Sequence, residues 1–346
     1  MELFLPVKNE LSRHIQSCCE ELYHKMQQLS VADIGLSSHG QFYFNSRHIK
    51  RLFFSIESSA QLLYHSIVLT NKKVEDVVVM DYGAGIGSLY ILANMIGCKQ
   101  VIYNDLFEEW KNNGKLIAEA LSINIDAYIL GDIDDTLLYL EKEKISCDII
   151  ISRNVIEHIH KLEDFYSLIN KFQPNAIVYS STSANFYNPA VNLKHVLMHL
   201  KTEKIFTRDR TKIISEYTTK LSEKEVSLLS QKTRGYNIEG IKLAVDNYIS
   251  TKTLPKKAYT YTNAFEPTLN IWCENLLVFS VYKQKLIAGN YDAQFKPGFW
   301  DTHYPAAWKN LPVKILNSII NIVGDFGFVL APFIYVIAIP RKLNNK

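Results

Sequence analysis

Two stretches of this chain hold residues whose types and spacing could do chemistry. The first is "DYGAGIGSLYILA", Asp81 to Ala93, which follows the apolar run Val77-Val78-Val79-Met80 and carries Gly83, Gly85 and Gly87 at alternate positions. A glycine-rich turn between a strand and a helix lets a backbone approach a ligand closely. The second is "NVIEHIH", in which Glu157 and His158 stand side by side. A histidine beside a carboxylate is suited to taking a proton from a hydroxyl.

The glycine turn excludes two common ligand modes. A phosphate-binding P-loop needs Lys-Ser/Thr after its last glycine, whereas Gly87 is followed by Ser88-Leu89. The dinucleotide fingerprint is GxGxxG, and here the third glycine comes one place early. An acid, Asp81, precedes the first glycine by two residues.

The elements that must position these groups alternate in type. Residues 8–70 read as helices, with Leu11, Ile15, Leu22 and Met26 at helical spacing. From Val77 short apolar runs alternate with amphipathic segments. The runs are Val77–Met80, Val101–Tyr103, Tyr128–Leu130, Ile149–Ile151 and Ala176–Tyr179, and one of the intervening helices is expected across Val155–Ile169. Five strands alternating with helices imply a parallel sheet covered on both faces. After Ser181 the alternation stops, and residues 185–285 are polar, Tyr-rich and partly helical.

Composition narrows the classes. In 346 residues, 47% hydrophobic and 21% charged content argues for a folded core and against disorder. A net charge of +3 gives no support for a nucleic-acid partner. The five cysteines show no CxxC spacing, so neither a disulfide framework nor a zinc site is expected. The start "MELFLPVKNE" lacks a basic, then apolar leader, and the expected location is cytoplasmic.

The pattern Asp81-x-Gly83-x-Gly85-x-Gly87 resembles motif I of the class I S-adenosylmethionine-dependent methyltransferases. Four further features come in that family's order: Asp105 ending "VIYND", Asp132 in "YILGD", the stretch "CDIIISRNVIEHI" resembling motif IV, and the fifth strand "NAIVYSS". The resemblance implies an α/β fold: a Rossmann-like sheet of seven strands, the last antiparallel, with N-terminal helices and a helical or irregular cap insertion. It implies S-adenosyl-L-methionine as cofactor, held by Asp81, Gly83, Ala84, Gly85, Asp105, Leu106, Asp132, Ile133 and Asn154. Asp105 would accept the ribose hydroxyls and Asp132 would contact the adenine amine. Expected regions are a helical segment at 1–70, the cofactor-binding core at 71–184, a cap at 185–290 that shapes the acceptor pocket, and a return to the sheet at 291–346.

Methyl transfer from a sulfonium needs alignment and exclusion of water, and a hydroxyl acceptor also needs its proton removed. His158, with Glu157, is the expected catalytic pair for O-methylation of a small-molecule or glycan- or lipid-linked acceptor. Some relatives, among them small-RNA and polyprenyl-quinone O-methyltransferases, hold a divalent ion on Glu-x-x-Glu-His plus a later histidine. Here Asn154 replaces the first acid, so no metal is expected; a metal-assisted O-methyltransferase acting on an RNA or quinone-type acceptor is the alternative, with His195 and His199 sharing a helix face at ligand spacing. A nicotinamide-dependent oxidoreductase and a catalytically silent binding module on the same fold are the competing classes.

Tyr259, Tyr261, Phe265 and Trp272 could line an aromatic pocket, and Lys201, Lys204, Arg208, Arg210 and Lys212 read as a solvated helix face. The uncharged run from Phe326 to Pro340 is fifteen residues, short of the ~20 that a spanning helix needs. It is expected to supply the last strand at 333–339. The amphipathic helix Val313–Val323 before it would pack on the sheet or make peripheral membrane contact.

Overall fold

A computed structural model of the chain describes residues 3–256 and 263–341. It divides into two compact units, one of Met1–Ile156, Glu163–Thr182 and Phe279–Lys346, the other of Glu157–Leu162 and Ser183–Val278.

The first unit is built on seven strands: β1 (Val78–Tyr82), β2 (Gln100–Asp105), β3 (Ala127–Leu130), β4 (Ile149–Arg153), β5 (Ile177–Thr182), β6 (Tyr291–Pro297) and β7 (Ile334–Pro340). Their spatial order is β3-β2-β1-β4-β5-β7-β6. The first five pair in parallel, and β7 runs antiparallel between β5 and β6. Central strands such as β1 and β5 are buried along their whole length, which is why their sequences read as continuous rather than alternating apolar runs. The order reverses between β1 and β4, and in open α/β sheets the crevice at the strands' carboxyl ends beside such a point is where ligands bind.

The expected seven-stranded sheet with an antiparallel last strand is present, and β7 covers Ile334–Pro340 against the expected 333–339. The N-terminal segment is helical as expected. Glu10–Gln28 starts on a capping box formed by Asn9 and Ser12 and buries Ile15, Cys19, Leu22 and Met26. Leu52–Thr70 lies on the sheet with Ser55, Ser58 and Ser59 buried among apolar residues. The five cysteines are free.

The second unit holds the helices Pro189–Tyr217, Glu223–Lys232 and Ile238–Thr251 and a two-stranded hairpin, Phe265–Glu266 against Ile271–Trp272. Its own small core is Ile214, Val226, Leu229, Ile241 and Val245.

Two expectations need correction. The helix expected across Val155–Ile169 begins only at Leu162. Asn154 takes a left-handed φ of 58°, which ends β4 without starting a helix, and its N–H bonds to the Ser181 carbonyl. Residues 156–158 then form a turn, and Ile159 makes a bridge to Ile271 of the hairpin. The basic stretch is also not uniformly solvated. Lys201, Lys204, Arg208 and Lys212 are at least partly exposed, but Arg210 is fully buried. Arg210 pairs with Glu203, and its Nε donates to the Ser230 carbonyl at 2.7 Å. A buried guanidinium is tolerable only with such partners.

Candidate functional site

The glycine turn is held from several sides. The Ala84 N–H donates to the Asn104 carbonyl at 2.9 Å, and the Tyr103 hydroxyl donates to the Gly85 carbonyl at 2.8 Å. Gly83 and Gly85 have φ of 69° and 55°, the left-handed region that favours glycine. The two glycines serve different ends. A Cβ on Gly83 would meet Val155 Cγ2 at 2.6 Å, whereas one on Gly85 would meet nothing within 4 Å. Gly83 is therefore glycine for packing, and Gly85 has open space where a side chain would stand. Gly114 is a third such residue: a Cβ there would lie 2.8 Å from the Gly85 carbonyl, so this helical glycine admits the turn.

Three acids expected to hold the cofactor also hold the backbone. Asp105, at the end of β2, is buried and accepts from the Gly85 and Phe107 N–H groups, each at 2.9 Å. Burial raises its pKa, against those two amides and that of Leu106. Each carboxylate oxygen keeps lone-pair capacity for a further donor. Asp81 is 3% exposed and accepts from the Tyr90 N–H at 3.1 Å. Burial, with Asp105 adding to it, pushes Asp81 up to about 7 against the pull of Arg153 and the Tyr90 amide. Asp132 is exposed and caps the helix Ile133–Lys142 through the Asp134 and Asp135 N–H groups. Leu106 is 41% exposed, an apolar side chain left open beside Asp105, while Ile133 is buried. Asn154 is exposed at the end of β4.

In the second unit, the turn that holds Glu157 and His158 assembles a cluster. The Trp272 N–H donates to the His158 carbonyl and the Asn275 N–H to the Glu157 carbonyl, both at 2.9 Å. This pairing brings Glu274 to Glu157 and His158, and ligand atoms of all three lie within 4.8 Å of one another. His158 Nδ1 lies 2.9 Å from the Trp272 carbonyl. A carbonyl can only accept, so Nδ1 carries the proton and Nε2 keeps its lone pair. Burial opposes protonation of His158, but Glu157, Glu274 and the nearby backbone carbonyls outweigh it, and the pKa is raised above 6.5. Burial and Glu157 lift Glu274 to about 7, against His158, Lys194 and Ser183. Glu157 itself is fully buried, and its Oε1 accepts from the Ser183 N–H at 3.3 Å.

Sequence reasoning misses Glu274. It lies in "NIWCENL", where the aromatics are the conspicuous residues, and its neighbours His158 and Glu157 are more than a hundred positions away. His195 and His199 do share a helix face, but they are buried and stand outside the trio. Burial pulls both down to about 4, so they are neutral. Of the aromatic set, Phe265 and Trp272 pack ring to ring at 4.9 Å in the hairpin core; Tyr259 and Tyr261 lie outside the described residues.

No protein-family model and no curated protein matches the chain. Solved structures similar to parts of it include a ribosomal protein L11 methylase from Lactobacillus delbrueckii subsp. bulgaricus, at 21% identity and a TM-score of 0.29 over 36% of this chain. The chain spans only 60% of that enzyme's length. An S-adenosylmethionine dependent methyltransferase from Mesorhizobium loti is similar over 80% of this chain and 97% of its own, at 11% identity and a TM-score of 0.36. A magnesium protoporphyrin IX methyltransferase from Synechocystis is similar over 86% and 96%, at 13% identity and a TM-score of 0.35. Likenesses this distant leave the functional assignment to the groups at the strand ends.

Proposed function

We propose that this chain is an S-adenosyl-L-methionine-dependent methyltransferase that O-methylates a small-molecule or glycan- or lipid-linked acceptor. The observation that carries the reading is the glycine turn at the carboxyl end of β1, with open space over Gly85 and the Asp105 carboxylate 2.9 Å from the Gly85 N–H. A nucleoside fits such a place: the backbone passes under it and a carboxylate meets its ribose hydroxyls. There is no lysine for a phosphate and no third glycine at the dinucleotide position.

The bound cofactor supplies an activated methyl group on a sulfonium. In the transfer the carbon–sulfur bond breaks, a carbon–oxygen bond forms, and the acceptor's proton must leave. In this reading His158 Nε2 takes that proton. The Trp272 carbonyl fixes its tautomer, and Glu157 and Glu274 stabilise the imidazolium.

His158→Ala is expected to lower turnover by roughly 10²–10⁴ while leaving affinity for S-adenosylhomocysteine unchanged. The wild-type rate should rise with pH along a limb displaced above 6.5, the direction of the His158 shift, and that limb should vanish in the variant. Unchanged turnover in a folded variant would refute the base.

A metal-assisted second reading is favoured by one observation, the convergence of Glu157, His158 and Glu274. One imidazole and two carboxylates are a ligand set for a divalent ion, which would lower the pKa of an acceptor hydroxyl directly. Activity lost to a chelator and restored by a divalent ion would select this reading over the free base.

A further inference from the structure

Arg153 ends β4, opposite Ser181 of β5, and Ser181 lies opposite Tyr335 of β7. Asp81 of β1 pairs with Ile151, two residues back from Arg153 on the same face of β4. One face of the sheet's carboxyl edge therefore carries Asp81, Arg153, Ser181 and Tyr335 together. The helix Leu52–Thr70 covers this face, and Ser55 receives the guanidinium: Nη1 donates to its carbonyl at 2.7 Å and Nη2 to its hydroxyl at 2.9 Å.

Those two acceptors are neutral. Among the described residues no carboxylate comes within 4.0 Å of the guanidinium, and Asp81 acts on it only at longer range while accepting from the Tyr90 amide. A partly buried guanidinium without an ion-pair partner is costly, and Arg153 still has unused N–H donors in its planar fork. Its surroundings are incomplete in the same way. The Tyr335 hydroxyl, in a side chain 5% exposed, and His48 Nε2, in one 6% exposed, are buried without a hydrogen-bond partner. Arg153 acts electrostatically on both His48 and Tyr335. His48 and Tyr335 add no negative charge, so beyond the longer-range pull of Asp81 the guanidinium's fork is open to a further anion.

We propose that Arg153 binds the α-carboxylate of the cofactor's amino-acid portion, with Tyr335 donating to the same group. This rests on the methyltransferase reading, and it divides the cofactor between two side chains, with Asp105 at the nucleoside and Arg153 at the opposite end. Within "CDIIISRNVIEHI" the sequence pattern gives Arg153 no role, and the strand register with Ser55 supplies one.

Calorimetry on the full chain tests it with three probes: S-adenosylhomocysteine, its α-carboxamide, and methylthioadenosine, which lacks the amino-acid portion. On the wild type the carboxamide should bind at least about tenfold more weakly than the acid. Arg153→Met should weaken S-adenosylhomocysteine by about 10–100-fold, the scale of hydrogen bonds to a charged group, and leave methylthioadenosine unchanged. Arg153→Lys should fall between them, since it keeps the charge and loses the fork. Equal wild-type affinity for acid and carboxamide would overturn the proposal without need of a variant. So would an Arg153→Met that weakens methylthioadenosine as much as S-adenosylhomocysteine. A wild type that binds none of the three would instead refute the methyltransferase reading itself.

Discussion

At the scale of residues, the polar groups of the first unit are buried more deeply than their chemistry would allow by itself. Glu57 sits on the helix that covers Arg153's face, and burial with Asp301 lifts its carboxyl to about 8 against Lys314. A carboxyl whose folded pKa lies above its unfolded value binds its proton more tightly when folded. Its stabilising contribution is complete below about 4.5 and is lost as pH rises through 8. Glu57→Gln mimics the protonated form, so its unfolding free energy should stay flatter over that window. The wild type should fall relative to it by up to about 1.4 kcal/mol per pH unit in chemical denaturation. Parallel profiles would show that the carboxyl ionises freely. Residue types are legible in the sequence where a motif surrounds them, as with Asp81 and Asp105, and poorly legible where only burial gives them meaning. Arg210 looks like its basic neighbours in sequence, but it is the one turned inward to Glu203 and Ser230.

At the scale of elements, the strands of the sheet are legible because both of their faces are covered, which leaves short apolar runs bounded by turns. The stretch 155–161 is not. Its apolar spacing suits a helix, but the left-handed Asn154 and the hydrogen bonds to residues 271–275 hold this stretch in a turn followed by the Ile159 bridge. Partners that distant in sequence leave no mark on local periodicity. The C-terminal run is the opposite case, since its length rules out a span and its β-branched and aromatic content suits a strand. No helix of the described residues is long and apolar enough to cross a membrane. All seven residues of β7 are buried, and it pairs with both β5 and β6. Truncation at Gly324 should therefore give unfolded or insoluble protein, checked by circular dichroism and sedimentation. The helix Asn310–Ile322 keeps the peripheral-membrane proposal in play, because Leu311, Ile315 and Ile322 are 67%, 55% and 82% exposed. A folded, active truncation that had lost only its binding to lipid vesicles would contradict the strand's role and make this tail an anchor.

At the scale of the whole molecule, cofactor binding is proposed at the carboxyl edge of the sheet and proton transfer at the histidine–carboxylate cluster of the second unit. We propose that the chain binds S-adenosyl-L-methionine over Gly85. Gly85→Ala tests this most directly, because the added Cβ clashes with no other part of the protein and extends into the open space that the proposal gives to the ligand. The left-handed φ should cost about 1–2 kcal/mol of stability and leave the fold intact. Titration calorimetry with S-adenosylhomocysteine should show binding by the wild type and at least about a tenfold loss in a cooperatively folding Gly85→Ala variant. Equal affinity in the two proteins would contradict the placement over Gly85, and no binding by the wild type would contradict a methyltransferase function.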